Sequence, residues 1–130
     1  MNISEVSKKY GLTPDTLRYY ERKGLMLPVT RDKNGNRDYT EYDLKWVYFA
    51  KVMRNAGVSV EALSQYVALF KQGREKTIEE RQQILVDQKN TLQKKITDLN
   101  EALEYLTYKI DNNSKHLAEF EKKLDPDENV

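Results

Sequence analysis

Leu85, Leu92, Leu99 and Leu106 stand seven residues apart, and Ile96, Leu103 and Ile110 fill the alternate positions between them. This is an a/d seam running through three heptads, with Lys89 as its one polar interruption. Upstream, Thr77 and Glu80 have the spacing of a capping box, so the spacing predicts a helix start there. From Ile78 to Ile110 the helix would extend about 50 Å at 1.5 Å per residue, well beyond the roughly three turns of an average globular helix. A chain of 130 residues has no globular core large enough to cover such a stripe. The seam therefore requires a partner helix, and identical chains presenting identical seams make a homodimer the simplest solution. A helical hairpin is the competing solution. Asp111-Asn112-Asn113-Ser114 would turn the chain so that Leu117, Phe120 and Leu124 pack back on the seam. The returning helix is too short to cover the whole stripe, so dimerisation with a short capping helix is the expectation. Asp125 to Val130 is expected to be an acidic, frayed end.

The N-terminal third has a different design. Thr13-Pro14-Asp15-Thr16-Leu17-Arg18-Tyr19-Tyr20-Glu21-Arg22-Lys23-Gly24 spells a short helix with both ends marked. Thr13 suits the N-cap, Pro14 the first helical position, and Gly24 the left-handed conformation that ends a helix. At about 100° per residue, Leu17 and Tyr20 share an inner side, while Asp15, Thr16, Arg18, Tyr19, Arg22 and Lys23 occupy the opposite arc. Ile3, Val6 and Tyr10 form an earlier helical stripe broken by Gly11, so the two segments fit a helix-turn-helix. An ordinary helical hairpin with a solvated charged face fits the same residues.

The next segment separates those readings. Arg31-Asp32-Lys33-Asn34-Gly35-Asn36-Arg37-Asp38-Tyr39 contains Asn34-Gly35, a strong hairpin signal, and the expected product is a small two-stranded wing. Arg31, Lys33 and Arg37 crowd it, giving a second basic element suited to phosphates or a minor groove.

The run from Thr13 to Glu21, then Gly24-Leu25 and Pro28, then Arg37 and Tyr39, resembles the N-terminal signature of the MerR family of bacterial transcription regulators. The resemblance continues through two further helices into the long terminal one. It implies a mainly α chain, a winged helix-turn-helix DNA-binding domain followed by a long dimerisation coiled-coil helix. The expected boundaries are residues 1–71, 77–112 and 113–130. It also implies Thr13, Thr16, Arg18, Tyr19 and Tyr20 on the helix, with Arg37 and Tyr39 on the wing, as DNA-contact residues. Tyr20 lies on the inner arc, which suits a packing residue whose hydroxyl reaches a phosphate from the helix edge. Further implications are antiparallel pairing of the coils and a dimer that binds double-stranded promoter DNA and distorts it so that RNA polymerase can engage. The dimerisation residues on this reading are Leu85, Leu92, Ile96, Leu99, Leu103, Leu106 and Ile110.

Two helices should connect the halves. Thr40 with Asp43 marks one start, followed by Leu44, Val47, Tyr48 and Val52 at helical spacing until Asn55-Ala56-Gly57, with Trp46 and Phe49 as packing residues beside the stripe. Ser59 with Leu63, Tyr66, Val67 and Phe70 marks the other. By the same resemblance, Arg54 and Ser59 are weaker phosphate candidates.

Composition sets the remaining limits. The net charge of +1 conceals an asymmetry: residues 1–71 carry 12 Lys and Arg against 8 Asp and Glu, whereas residues 72–130 carry 10 against 13. Only the first part suits a polyanion. Lys8 and Lys9 interrupt any early apolar run and no stretch approaches a membrane span, so the expected location is the cytoplasm, with no membrane partner. There is no cysteine and one histidine, His116, so no metal site, redox centre or cofactor is expected. One His and no Cys also leave no assembled acid, base or nucleophile, which argues against an enzyme. Room remains for a small-molecule effector that the sequence does not identify, in a pocket lined by Tyr66, Phe70, Tyr105 or Tyr108. The chief alternative function is a coiled-coil interaction or DNA-architectural module without transcriptional control.

Overall fold

The computed structural model describes residues 1–110 and 114–127. Six helices follow in order: α1 (Ile3–Tyr10), α2 (Pro14–Arg22), α3 (Glu41–Asn55), α4 (Val60–Gln72), α5 (Ile78–Ile110) and α6 (Ser114–Leu124). No membrane-spanning helix occurs among the described residues, none being long and apolar enough. The chain forms two compact units, Met1–Lys89 and Asn90–Val130.

Local chemistry fixes most helix ends where the sequence places them. Asn2 and Glu5 close a capping box on α1, and Thr40 and Asp43 close another on α3. Thr13 and Ser59 accept the N–H three residues on, from Thr16 and Ala62, at the starts of α2 and α4. At the far end of α2, Gly24 adopts φ +74°. Leu25 N–H then donates to Tyr20 O at 2.9 Å and Gly24 N–H to Glu21 O at 3.2 Å. This paired closure satisfies the last carbonyls and turns the chain sharply away from the helix.

The first unit has one core. Val6 from α1, Leu17 and Tyr20 from α2, Leu25, Met26, Val29 and Tyr39 from the wing region, Leu44, Val47 and Ala50 from α3, and Leu63 from α4 are buried together. Asp43 is buried as well, its carboxylate accepting from Thr40 N–H at 3.0 Å and Thr30 N–H at 3.2 Å. The start of the wing and the start of α3 are thus tied by one side chain.

Several expectations differ from what the structure shows. The wing has no strands among the described residues; a single antiparallel bridge joins Arg31 to Arg37. A three-residue loop replaces the two-residue Asn-Gly turn, with Asp32 N–H donating to Asn36 O and Gly35, at φ +82°, donating to Asp32 O. The Asp32 carboxylate also accepts from the N–H groups of Asn34 and Asn36, so a side chain does the work that a longer ladder would do. On α3, Tyr48 and Val52 are exposed, and the buried stripe is Leu44, Val47 and Ala50. Both faces of this helix carry apolar residues, so spacing alone did not select one.

The third difference concerns Thr77. Its hydroxyl does not serve Glu80; it donates back to Leu69 O at 2.7 Å and Gly73 O at 2.8 Å. Arg81, also buried, donates to Thr77 Oγ1 and to the carbonyl of Arg74, with its guanidinium 5.5 Å from the Phe70 ring and 5.7 Å from that of Tyr66. These contacts bind the first turns of α5 to α4, within the first compact unit.

In the second unit, Phe120 of α6 packs edge-on against Tyr105 and Tyr108, each with a centroid separation of 5.8 Å, and His116 packs against Tyr108 at 4.9 Å. His116 is therefore a half-buried packing residue. Leu117 and Phe120 turn inward as expected, whereas Leu124 is exposed. The expected turn at Asp111-Asn112-Asn113 and the last three residues lie outside the described residues. The seam of α5 is open in the single chain, most of all at Leu99 (68% exposed) and Ile110 (62%).

Candidate nucleic-acid interface

The capping of α2 at both ends presents its outer arc as the sequence wheel requires. Leu17 and Tyr20 are buried, and Asp15, Arg18, Arg22 and Lys23 are exposed. Thr16 and Tyr19 are half-buried at the edges of the arc. Thr13 and Thr16 share a hydroxyl contact of 2.9 Å, and Arg18 is held against Asp15 at 2.9 Å across one helical turn. That ion pair is exposed and therefore weak. A phosphate or base edge can displace Asp15, leaving Arg18 free to reorient. The Arg22 guanidinium lies 5.7 Å from the centre of the Tyr19 ring.

The wing meets this helix through a residue that sequence reasoning did not single out. Glu21 accepts from Arg37 Nε at 2.7 Å, from the Arg31 guanidinium at 3.5 Å and from the backbone N–H of Val29 at 2.8 Å. Its side chain is only 13% exposed and that of Arg37 is 21% exposed. One carboxylate at the last turn of α2 thus fixes the base of the wing and aligns two of its arginines. The only sequence signal was position, four residues after Leu17 on the border between inner and outer arcs.

The consequence is a cleft of ≈390 Å³ lined by Arg18 from α2, Arg31 and Arg37 from the wing, and Asn2, Asp32 and Asn36 around them. Three guanidinium groups from two elements converge with side-chain amides. Guanidinium forks match phosphate and base-edge geometry, and amides add hydrogen bonds of either sense. This is chemistry for an extended polyanion rather than for catalysis.

Tyr20 and Tyr39 occupy other ground. Both rings are buried, Tyr39 at 2% exposure, and its hydroxyl has no hydrogen-bond partner among the described residues. The backbone of Tyr39 donates to Met1 O at 2.7 Å, pinning the end of the wing to the start of the chain. Burial raises both phenol pKa values above the usual tyrosine range; Arg54 opposes the shift at Tyr20, and Arg37 opposes it at Tyr39. Arg54 donates to Val58 O at 2.6 Å and Ser59 caps α4, so both weaker candidates have structural duties in the free chain. Among the described residues, no group of three or more His, Asp and Glu side chains stands ready to hold a metal.

Similarity to known proteins bears on its meaning. The profile of the MerR HTH family of regulatory proteins matches residues 1–69. The HTH-type transcriptional regulator AdhR of Bacillus subtilis is 54% identical over 92 residues, covering 71% of this chain but 65% of the relative's own length. An uncharacterized HTH-type transcriptional regulator of Haemophilus influenzae is 32% identical over 107 residues, covering 82% of this chain and 78% of the relative. Among solved structures, HiNmlR, a MerR family regulator lacking the sensor domain and bound to promoter DNA, superposes with a TM-score of 0.80. It is 31% identical, over 90% of this chain and 92% of that one. With more than half of its length matched by the family profile, and with a relative 32% identical over 82% of the chain, this chain belongs to the MerR family.

Proposed function

We propose that this chain is a homodimeric, sequence-specific DNA-binding regulator of transcription that acts in the cytoplasm by distorting promoter DNA. The observation that carries the reading is the cleft lined by Arg18 of α2 together with Arg31 and Arg37 of the wing, the latter two held by Glu21. On this reading α2 enters the major groove with Thr13, Thr16, Arg18 and Tyr19, Arg18 being the residue suited to a bidentate guanine contact. Arg37 and Arg31 hold phosphate alongside. Tyr20 and Tyr39, being buried, set the angle of the helix and the wing. The promoter-DNA complex of HiNmlR supports this reading by likeness.

The dimer is proposed from the open seam of α5. Leu85, Leu92, Ile96, Leu99, Leu103, Leu106 and Ile110 are all exposed in the single chain, a stripe that water opposes and a second seam would cover. Residues 1–71 are proposed as the DNA-binding domain, 77–112 as the dimerisation helix and 113–130 as its terminal cap. Two heads joined in this way have a fixed spacing, so DNA must bend or twist to meet both. Such a deformation costs about 1–6 kcal/mol for a smooth bend of a short site, within reach of several charge-assisted contacts. RNA polymerase at the reshaped promoter is the proposed downstream partner. The test is selection from a random duplex pool, followed by gel shift. An inverted repeat bound far more tightly than scrambled duplex, with affinity falling steeply in salt, is expected; equal affinity for all duplexes refutes the proposal.

A further inference from the structure

A second concavity lies away from the cleft, between α3 and α4. Trp46 and Phe49 of α3 and Tyr66 and Phe70 of α4 form its half-buried walls, and the exposed side chains of Tyr42, Lys45 and Arg74 border it. Its volume is ≈350 Å³, the size that takes one or two fused rings at the lower end of ligand pockets. The rings are set to receive a flat guest. Trp46 stands edge-on to Phe49 at 5.6 Å and to Phe70 at 5.1 Å, while Phe49 and Tyr66 lie 5.2 Å apart at a tilt of 33°. Such an array offers both ring faces and ring edges to a further aromatic. The charge is one-sided: the bordering ionisable groups are Lys45 and Arg74, with no carboxylate in the lining.

From these features we infer that this pocket binds a small planar aromatic carboxylate, its rings among Trp46, Phe49, Tyr66 and Phe70 and its anion between Lys45 and Arg74. The inference deepens the proposed function, because the pocket adjoins the joint between α4 and α5. The Arg81 guanidinium lies on Tyr66 and Phe70 and donates to the carbonyl of Arg74. A guest that draws on Arg74 and the same two rings therefore bears on the contacts that set how α5 leaves α4. The chain would then sense an aromatic acid without a cysteine.

Trp46 is the only tryptophan and reports directly on the pocket. Full-length protein is titrated with 1-naphthoate, followed by Trp46 emission and by calorimetry, beside 1-naphthalenemethanol and 1-naphthylmethylamine at equal concentrations. Saturable binding of naphthoate is expected, about tenfold tighter than the neutral alcohol and tighter still than the amine. Lys45→Ala and Arg74→Ala should each weaken it about fivefold, the scale of one exposed ion pair. Both side chains are exposed, so these variants keep the fold. No saturable binding, equal binding of all three probes, or indifference to both substitutions overturns the inference. So does a Trp46 signal that changes on dilution through dimer dissociation and ignores naphthoate, which would mean that a second copy covers the pocket. None of these readouts involves DNA, so failure here is distinguishable from failure of the regulator reading.

Discussion

Replacing Glu21 by alanine should loosen the wing, and the size of the effect follows from its contacts. The carboxylate accepts two short hydrogen bonds, from Arg37 Nε at 2.7 Å and Val29 N–H at 2.8 Å, and a third at 3.5 Å that is too long to count fully. A hydrogen bond to a charged group contributes roughly 1.5–3 kcal/mol. With both partners mostly shielded and the freed Arg37 able to recover some hydration, Glu21→Ala should cost about 2–4 kcal/mol. Glu21→Gln should cost about half as much, since the amide oxygen can serve one donor while the NH2 group opposes the other. Urea unfolding at fixed protein concentration, read by Trp46 emission, measures both values. The DNA response should split. Removing a negative charge raises affinity for non-specific duplex, whereas loss of wing alignment lowers affinity for the selected inverted repeat by at least roughly tenfold. A Glu21→Ala protein within about 0.5 kcal/mol of the parent, with unchanged specific binding, would refute the role of Glu21 as the link between helix and wing.

Arg18→Ala should weaken specific binding by about 1–3 kcal/mol, the contribution of one bidentate base contact, and leave thermal unfolding unchanged because Arg18 pairs only with exposed Asp15; a drop in melting temperature would make Arg18 structural. Leu99→Glu should leave the helix content seen by circular dichroism intact, since Leu99 is 68% exposed in the single chain. It should weaken the dimer by about 3–6 kcal/mol, one buried leucine lost from each chain; light scattering showing an intact dimer would place the interface elsewhere. The pH response follows from the buried phenols. Their folded pKa values are raised, so the folded chain holds these protons more tightly than the unfolded one. Their contribution to stability is complete below the ordinary tyrosine pKa of about 10 and is lost as pH rises through the raised values. Tyr39→Phe should remove part of that alkaline loss while costing little at neutral pH, because the hydroxyl has no partner among the described residues. Equal steepness in parent and variant between pH 9 and pH 11, by urea midpoint, would contradict it.

What could be read from the sequence was mostly local. Thr13, Thr40 with Asp43, and Ser59 act over three residues, so their helix starts are visible in the order of the letters. The heptad seam and the outer arc of α2 are periodic, and periodicity survives folding. What escaped was long-range or had two local solutions. Glu21 and Arg37 are 16 residues apart, and nothing in either segment specifies the other. Thr77 has a capping-box partner in Glu80, yet α4 brings two carbonyls within its reach and these win. Asn34-Gly35 marks a turn but not its length, which the Asp32 carboxylate decides. Tyr39 stands in a basic segment as an implied DNA contact, yet its ring belongs to the core shared with Val6 and Leu17. The cleft's existence was thus legible in the residues of α2 and the wing, and its assembly was not.

The most direct test of a paired DNA reader is sedimentation velocity of the full chain on its selected inverted-repeat duplex, with a matched single half-site as control. Two chains per repeat, bound as a preformed dimer, and much weaker association with the half-site are expected. One chain per repeat, or equal affinity for repeat and half-site, would contradict a paired reader.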